Sequence, residues 1–535
     1  MPVRHLIIAL TLTIGGLIAW LLVNDIAGRK SKATVAMPTK KVAQQIITQP
    51  RSDRQLSDRS ADDWMEAMQA IPNERIVSFK SEEAYQDFLK RLAGSNLRNL
   101  GQIDVLRAIR LGYDDLADFD ALGLDPDDLD YNFPVTIPPR AEVDAQNGIV
   151  GFGRTALEFL GINGDNSTWG TGVKIAVIDT GIEPHLALNK NIQYISLVEL
   201  GEGVAGNSHG TSVASLIAGN HPSLLGVAPG ADLISIRVAD ETGYSNSFLL
   251  AQGIIEAVLS GAQVINISMG SNNDSSTVAN AVKYAIKNGV VIIASPGNDG
   301  LTQSSYPARY EGVVSVGAVD SLGQHLNFSH TDQNMSASAP GLQITAAYPG
   351  DMVTDFSGTS ASAPFFSGAV AAVMSQSSTR ISGQEAVNIL LNTTNEAGDP
   401  GQDSKYGNGI LDVGRAINSS TPGITDLAVA SQTYLLPREN SSSSGLQVSV
   451  ENRGTEAVWN SVLTVSIASG EYPVQVNSLQ PNERKVITIP VGLQQLEQVG
   501  FLDVRSQITL SGDATDAKPS NDARTEQVTL PSNGP

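Results

Sequence analysis

The sequence predicts an α/β fold: a parallel sheet with helices on both faces, preceded by a small α+β unit and followed by an all-β sandwich. Three patterns carry that expectation. Apolar, β-branched runs at 173–178, 232–238, 263–268, 289–294 and 312–318 alternate with helical stretches such as SFLLAQGIIEAVLSG (247–261) and STVANAVKYAIKNG (276–289). In the latter, Val278, Val282, Ala285 and Ile286 recur at helical spacing. Upstream, a strand-like RIVSF (75–79) is followed by Ser81 as a helix cap, then by Tyr85, Phe88, Leu89 and Leu92 on one helical face ending at Gly94. Downstream of Ser419, LQVSV, LTVSI, KVITI and EQVTL alternate as half-buried strands between polar turns such as NRGT and SSSSG.

Along the chain each element has a local cause. Arg4 precedes an apolar run from Leu6 to Val23, with Asp25, Arg29 and Lys30 after it, which reads as an export segment within 1–30. Its eighteen residues exceed a usual signal-peptide core and just reach membrane-span length. A cleaved signal and an uncleaved anchor, in contact with the membrane through residues 6–23, both stay open, as does the orientation, because positive charges flank both sides. Residues 31–73 are polar and read as a linker. Over 74–135, strand-like sequence at 103–111, a second short helix around Asp114–Leu122 and LDYNFPV (129–135) complete a β-α-β-β-α-β plan. Eight aspartates between 114 and 130 read as a charged helix start and linker rather than a calcium loop. A Pro-rich, accessible stretch, 136–149, leads into the sheet domain at 150–420, and the sandwich covers about 425–530.

With 535 residues the chain exceeds a single core, so three domains are expected. It has no cysteine, which excludes disulfides, thiol catalysis and cysteine-based metal sites. A net charge of −21 argues against a nucleic-acid partner and for a solvated acidic surface.

Asp179, His209 and Ser360 lie in three short motifs, DTG (179–181), HGTSVAS (209–215) and GTSASAP (358–364). A serine hydroxyl is a poor nucleophile at neutral pH; it needs an imidazole to take its proton and a carboxylate to hold that imidazole in the right tautomer. The three residues supply that set. Each also has a plainer reading: Asp179 as an aspartate ending a buried strand, His209 as a capping histidine, Ser360 as an N-cap serine. His5, His221, His325 and His330 have weaker claims, the first at the extreme N-terminus and the others in polar, loop-like contexts.

The order Asp, His, Ser is one of several in which unrelated folds string this triad. Four segments in register over about 150–420, VKIAVIDTGIEPH, SHGTSVASLIAG, IIASPGNDG and FSGTSASAPFFSG, resemble the subtilisin-like serine proteases, the subtilases of peptidase family S8. The resemblance implies a subtilisin-like sheet and an exported serine endopeptidase that cleaves extended polypeptides through an acyl-enzyme on Ser360, with Asp179 and His209 as partners and no cofactor for catalysis. It selects Ser360 over Ser357 and Ser362, gives His185 in EPHLAL a structural role, and makes Asn298 in SPGNDG (295–300) an oxyanion donor. Ser268, Met269 and Gly270 in VINISMGS (264–271) carry over as contacts to the substrate backbone, which would add as a strand. Ser295, Pro296 and Gly297 match the facing wall of the pocket for the residue before the scissile bond; Pro296 departs from the small residue usual there and lacks a backbone N–H. The resemblance further implies that 74–135 is an inhibitory prodomain, cut off within 135–147, and that structural calcium is bound, at a site the sequence does not single out.

In the last segment VSVENRGTEAV, SLQPNERKVITIP and KPSNDARTEQV resemble the bacterial CARDB module, an immunoglobulin-like domain whose plain role is that of a spacer or stabilising appendage. A second function class follows from it: a surface binding protein that uses the sandwich and carries a vestigial protease domain. The intact triad and Asn298 argue against that reading.

Overall fold

Strand Lys174–Asp179 buries both of its faces, which is why it reads as an unbroken apolar run instead of an alternating one. In the computed structural model, whose described residues are 70–124, 129–139, 149–188, 191–200, 207–435, 445–491, 501–512 and 514–529, it lies inside a seven-stranded sheet. The strand order is Ala337–Pro340, Val313–Val319, Val291–Ala294, Val264–Ile267, Lys174–Asp179, Asp232–Arg237, Ile192–Ser196, and every pairing is parallel. Alternate side chains sort into two cores. Ile175 and Val177 share one with helices His209–Ala218 and Thr359–Gln376, whereas Ala176 and Ile178 share the other with Ser247–Leu259 and Ser276–Lys287. Ser247–Leu259 and Ser276–Lys287 are the helices the sequence pattern anticipates. Two edge strands lie outside the anticipated runs: Ile192–Ser196 is half exposed, and Ala337–Pro340 is made of small residues and ends in proline, which an edge tolerates.

The upstream unit is a three-stranded antiparallel sheet in the order Glu74–Ser78, Ala108–Gly112, Arg98–Ile103, covered by helix Glu82–Leu92. Ser81 caps that helix by accepting from the Ala84 N–H at 3.2 Å, and Tyr85, Phe88 and Leu92 fill the space beneath it. The structure corrects the expected plan in two places. The strand-like stretch 103–111 is split, with a turn at Asp104–Leu106 and Arg107 (φ 51°) before the strand Ala108–Gly112, and the second helix is only Ala117–Asp120. LDYNFPV gives the sheet a single bridge, Asp130 with Ile76; the strand Pro134–Thr136 pairs instead with Tyr244–Asn246, beside the central sheet. Asp130 and Asn132 fix that direction by bonding the first turns of two helices. Asp130 Oδ2 accepts from Ser276 Oγ at 2.6 Å, and Asn132 Oδ1 accepts from Ser247 Oγ at 3.0 Å and the Phe248 N–H at 3.1 Å.

The downstream unit packs a three-stranded antiparallel sheet (Leu427–Leu435, Gly445–Asn452, Arg484–Ile489) and a four-stranded one (Gly470–Leu479, Val458–Ile467, Phe501–Thr509, Ala523–Thr529) around one apolar core. It meets the parallel-sheet unit through buried charges. Glu451 lies 2.9 Å from Arg415, 3.0 Å from Arg453 and 3.5 Å from Arg484, and Arg484 also pairs with buried Glu396. The expected export segment with its membrane contact at 6–23, most of the linker and residues 140–148 of the processing stretch lie outside the described residues. Among the described residues no helix is long and apolar enough to cross a membrane.

The two carboxylates at this junction titrate in opposite senses. Burial raises Glu451, but Arg415, Arg453 and Arg484 outweigh it and hold the group at about 2, so its contribution to stability is present above the ordinary carboxylate range and lost as pH falls toward 2. Burial pushes Glu396 up to about 7 against the pull of Arg484, so its contribution is present below about 4.5 and lost as pH rises through 7. Glu451→Ala strands three guanidinium groups and is expected to cost about 3–5 kcal/mol, read as a lower unfolding temperature by calorimetry. Glu396→Gln should melt with the wild type at pH 5 and above it at pH 8; identical curves at both pH values would contradict the assignment.

Candidate active site

Asp179 ends strand Lys174–Asp179, and its side chain is 0% exposed. A carboxylate in that position must be hydrogen-bonded. Its Oδ1 accepts from the Thr180 N–H at 2.7 Å and the Thr180 hydroxyl at 3.2 Å, and His209 Nδ1 lies 2.8 Å from Oδ1 and 3.0 Å from Oδ2. Since the carboxylate can only accept, Nδ1 carries the ring proton and Nε2 is left as a base. His209 opens helix His209–Ala218, with its own N–H bonded to Asn207 Oδ1 at 2.9 Å and Phe356 edge-on to its ring at 5.3 Å. Gly210 permits the approach of helix and strand end: a Cβ there would lie 2.3 Å from the Gly181 carbonyl oxygen.

Ser360 is the second residue of helix Thr359–Gln376 and is 2% exposed. Its hydroxyl donates to the Ser268 carbonyl at 3.3 Å, while the Ser268 hydroxyl donates to the Ser360 carbonyl at 3.3 Å. His209 Nε2 is buried and has no hydrogen-bond partner among the described residues. Asp179 and His209 are therefore paired, and the Ser360 hydroxyl is engaged by the Ser268 carbonyl. Asn298 Oδ1 accepts from both the Thr359 N–H and the Thr359 hydroxyl at 2.9 Å, an arrangement that aims Nδ2 into the cleft. Gly358 is required beside it, because φ is 122° and a Cβ would come within 2.6 Å of Asn298 Nδ2.

The cleft holds a segment of the chain itself. Thr136 and Gly270 exchange N–H···O bonds of 3.0 Å, the Ile137 N–H donates to the Gly243 carbonyl at 3.1 Å, and Asn298 Nδ2 donates to the Pro139 carbonyl at 3.2 Å. Residues 134–136 thus run as a strand paired with 244–246 and bridged to Gly270, with 137–139 continuing to Gly243 and Asn298, the mode in which an extended peptide joins a sheet edge. Ser295, Gly297 and Asn298 border a pocket of about 160 Å³ with Pro138 and Pro139. Ser295 is buried and its N–H bonds the Ile267 carbonyl at 3.1 Å; the Pro296 carbonyl accepts from the Ser305 N–H at 2.8 Å. Met269 is 0% exposed and belongs to the core that also holds Phe248, Leu250 and Val135 of the cleft strand.

His185 ties one loop to another, with Nε2 donating to the Met352 carbonyl at 2.9 Å and Nδ1 accepting from the Ala187 N–H at 3.0 Å. Several residues of the site carry no sequence signal strong enough to single them out. Thr359 orients Asn298 from inside the GTS motif, Phe356 walls His209, and His330, placed by sequence in a polar loop, is buried under the loop that bears Asn298. A Cβ on Gly297, at φ 125°, would meet the His330 ring at 2.3 Å, and burial holds this imidazole below its ordinary range. Among the described residues no three His, Asp or Glu side chains group to hold a metal ion.

The pattern of the Subtilase family matches residues 170–409. The chain is 33% identical over 355 residues to M-protease of Shouchella clausii (strain KSM-K16), covering 63% of this chain and 89% of that protein. It is 38% identical over 252 residues to the thermostable alkaline protease of Halalkalibacterium halodurans, covering 46% and 68%, and 37% identical over 246 residues to Subtilisin Savinase of Lederbergia lenta, covering 45% and 89%. A seven-stranded parallel sheet, a buried carboxylate–imidazole pair and these likenesses converge: the chain belongs to the subtilase family and is a serine endopeptidase.

Proposed function

We propose that Ser360 is the nucleophile, His209 the general base and acid, Asp179 the group that holds the imidazole, and Asn298 a donor to the developing oxyanion. The observation that carries this reading is the 2.8 Å bond between buried Asp179 and His209 Nδ1, which leaves Nε2, without a partner among the described residues, as the ring's basic nitrogen. As Ser360 Oγ adds to the substrate carbonyl, Nε2 takes its proton, and the negative oxygen is met by Asn298 Nδ2 and the N-terminal dipole of helix Thr359–Gln376. His209 then protonates the leaving amine, and water repeats the sequence on the acyl-enzyme. Substrate backbone is held along Ser268, Met269 and Gly270, and Ser295, Pro296 and Gly297 wall the pocket for the residue before the cut.

The finer assignments belong to the same proposal. Residues 74–139 act as an inhibitory prodomain, a reading supported by the seating of 134–139 in the cleft and by the helix bonds of Asp130 and Asn132. The downstream sandwich is a CARDB-like stabilising appendage, supported by its two antiparallel sheets and the buried junction at Glu451. The apolar run 6–23 supports export, ending either outside the cell or at the membrane. Structural calcium rests on the family resemblance, and its signature would be a lower unfolding temperature in EGTA.

A serine-directed fluorophosphonate tests the nucleophile: folded, processed protein should be labelled on Ser360, and absence of label would refute the reading. Ser360→Ala should abolish peptide hydrolysis and leave the precursor uncut at 135–147 over times in which the wild type is processed. Asn298→Ala should lower kcat about 10²–10³-fold, the loss typical of removing one oxyanion donor, with little change in KM. Gly358→Ala should act in the same direction by displacing the Asn298 amide; unchanged kcat in both variants would remove Asn298 from the site.

A further inference from the structure

The loop that carries Asn298 is held twice. Thr359 bonds Asn298 Oδ1 through its N–H and its hydroxyl, and the same hydroxyl donates to the Gly297 carbonyl at 3.3 Å. Residues 328–331 are joined to 297–301 by three main-chain bonds: the Gly300 N–H to the Phe328 carbonyl at 2.7 Å, the His330 N–H to the Gly297 carbonyl at 3.3 Å, and the Thr331 N–H to the Leu301 carbonyl at 2.8 Å. The His330 ring packs against this loop. It is 1% exposed and lies so close to the Cα of Gly297 that a Cβ there would come within 2.3 Å of Cε1, 2.6 Å of Nδ1 and 2.7 Å of Nε2. Neither ring nitrogen has a hydrogen-bond partner among the described residues, so the contact with the loop is one of shape. The charged groups that face the ring are Asp299, on the Asn298 loop, and Asp332, on the ring's own segment; with the main chain of Gln303 and Pro296 they favour a charged imidazole, but burial outweighs them. Asp332 is already engaged, its two oxygens accepting from the Ser304 N–H at 2.7 Å and the Asn334 N–H at 2.9 Å.

We propose that His330 is a positioning residue for the oxyanion donor: its uncharged ring, seated against Gly297, fixes the residue before Asn298 and with it the aim of the Asn298 amide, and a proton on that ring unseats it. The inference rests on the assignment of Asn298 as oxyanion donor and adds the group that backs its loop. His330 acts through Gly297, and no covalent bond changes. A charged ring would carry two buried N–H groups in need of acceptors, and any turn toward an acceptor takes it off Gly297. The direction in pH follows from burial, which holds this imidazole below its ordinary range: the seated, neutral form is fully present above that range and is lost as pH falls through the lowered value. On acidification the site therefore loses its oxyanion donor as well as its base.

The test is a double-mutant cycle on the processed protein: wild type, His330→Ala, Asn298→Ala and the His330→Ala/Asn298→Ala double variant, with kcat and KM read on one peptide substrate and folding checked by unfolding temperature. His330→Ala should lower kcat about 10–10²-fold, the scale of a misplaced group, with KM changed less than about twofold. In the Asn298→Ala background the same substitution should change kcat by less than about twofold, because the amide it positions is gone. His330→Gln, planar, close to the imidazole in bulk and uncharged at every pH, supplies a second arm that stands even where the alanine variant does not fold. It should keep kcat near wild type at pH 8 and lose it less steeply on acidification: at the acid end log kcat should fall with pH at a slope above about 1 in wild type and no steeper than about 1 in His330→Gln. Unchanged kcat in folded His330→Ala, equal losses from that substitution with and without Asn298, or superimposed acid limbs for wild type and His330→Gln each overturn the proposal. Asn298→Ala separates the two levels. If it alone lowers kcat and the cycle shows no coupling, only the role of His330 is lost; if it leaves kcat unchanged, the oxyanion assignment falls and takes this inference with it.

Discussion

A carboxylate removed from water is the constraint around which the site is arranged. Asp179 is fully buried, and an unpaired charge in such a place would cost several kcal/mol after any relaxation. The strand end must therefore deliver donors. Thr180 supplies two, and the third, His209 Nδ1, is within reach only because helix His209–Ala218 starts against the end of strand Lys174–Asp179. Glycines make that closeness possible, since a Cβ on Gly210 would strike the Gly181 carbonyl and one on Gly181 would strike Arg237. The DTG and HGTSVAS motifs, thirty residues apart, are two halves of one buried polar unit. The same hydrogen bonds that satisfy the carboxylate leave His209 Nε2 without a partner among the described residues.

The parts of this arrangement legible in sequence are those with a local or two-sided cause. Runs such as 173–178 and 289–294 announce the sheet because both faces are buried, and Ser81 announces its helix because the cap lies next to it. The edge strands Ile192–Ser196 and Ala337–Pro340 lack that double burial and left no comparable pattern. Asp179, His209, Ser360 and Asn298 were visible through their motifs, but the direction in which the Ser360 hydroxyl points was not, because its acceptor, the Ser268 carbonyl, lies 92 residues away in sequence. His330 was silent for a similar reason: its partner is the space under Gly297, and nothing near residue 330 encodes that space. LDYNFPV does look like a strand. Which strand it pairs with is a non-local choice, decided by the polar groups of Asp130 and Asn132.

Those two side chains tie the upstream unit to the helices that form one of the two cores. Helices Ser247–Leu259 and Ser276–Lys287 have their own caps, Asn246 and Ser275, but each cap satisfies one N–H of a first turn that exposes several. Asn132 takes the Phe248 N–H and Asp130 takes that of Thr277 at 3.3 Å, and the negative charge of Asp130 lies at the positive end of a helix dipole. Ile76, Ile103 and Ala108 of the upstream unit join the same apolar core as Phe248 and Ile254. Docking therefore completes both the polar and the apolar requirements of these helices, and a chain that docks its upstream unit while folding forms them at lower cost than one that lacks it.

The Ser360 hydroxyl is held by one neutral hydrogen bond to the Ser268 carbonyl, worth about 0.5–1.5 kcal/mol, whereas leaving that buried carbonyl without a donor would cost about 1–3 kcal/mol. The hydroxyl is therefore fixed more by what the carbonyl would lose than by what the hydroxyl gains. Asn298 is held separately: Thr359 engages its Oδ1 through two bonds of 2.9 Å that involve neither Ser360 Oγ nor Ser268, so the aim of its amide does not depend on where the Ser360 hydroxyl points.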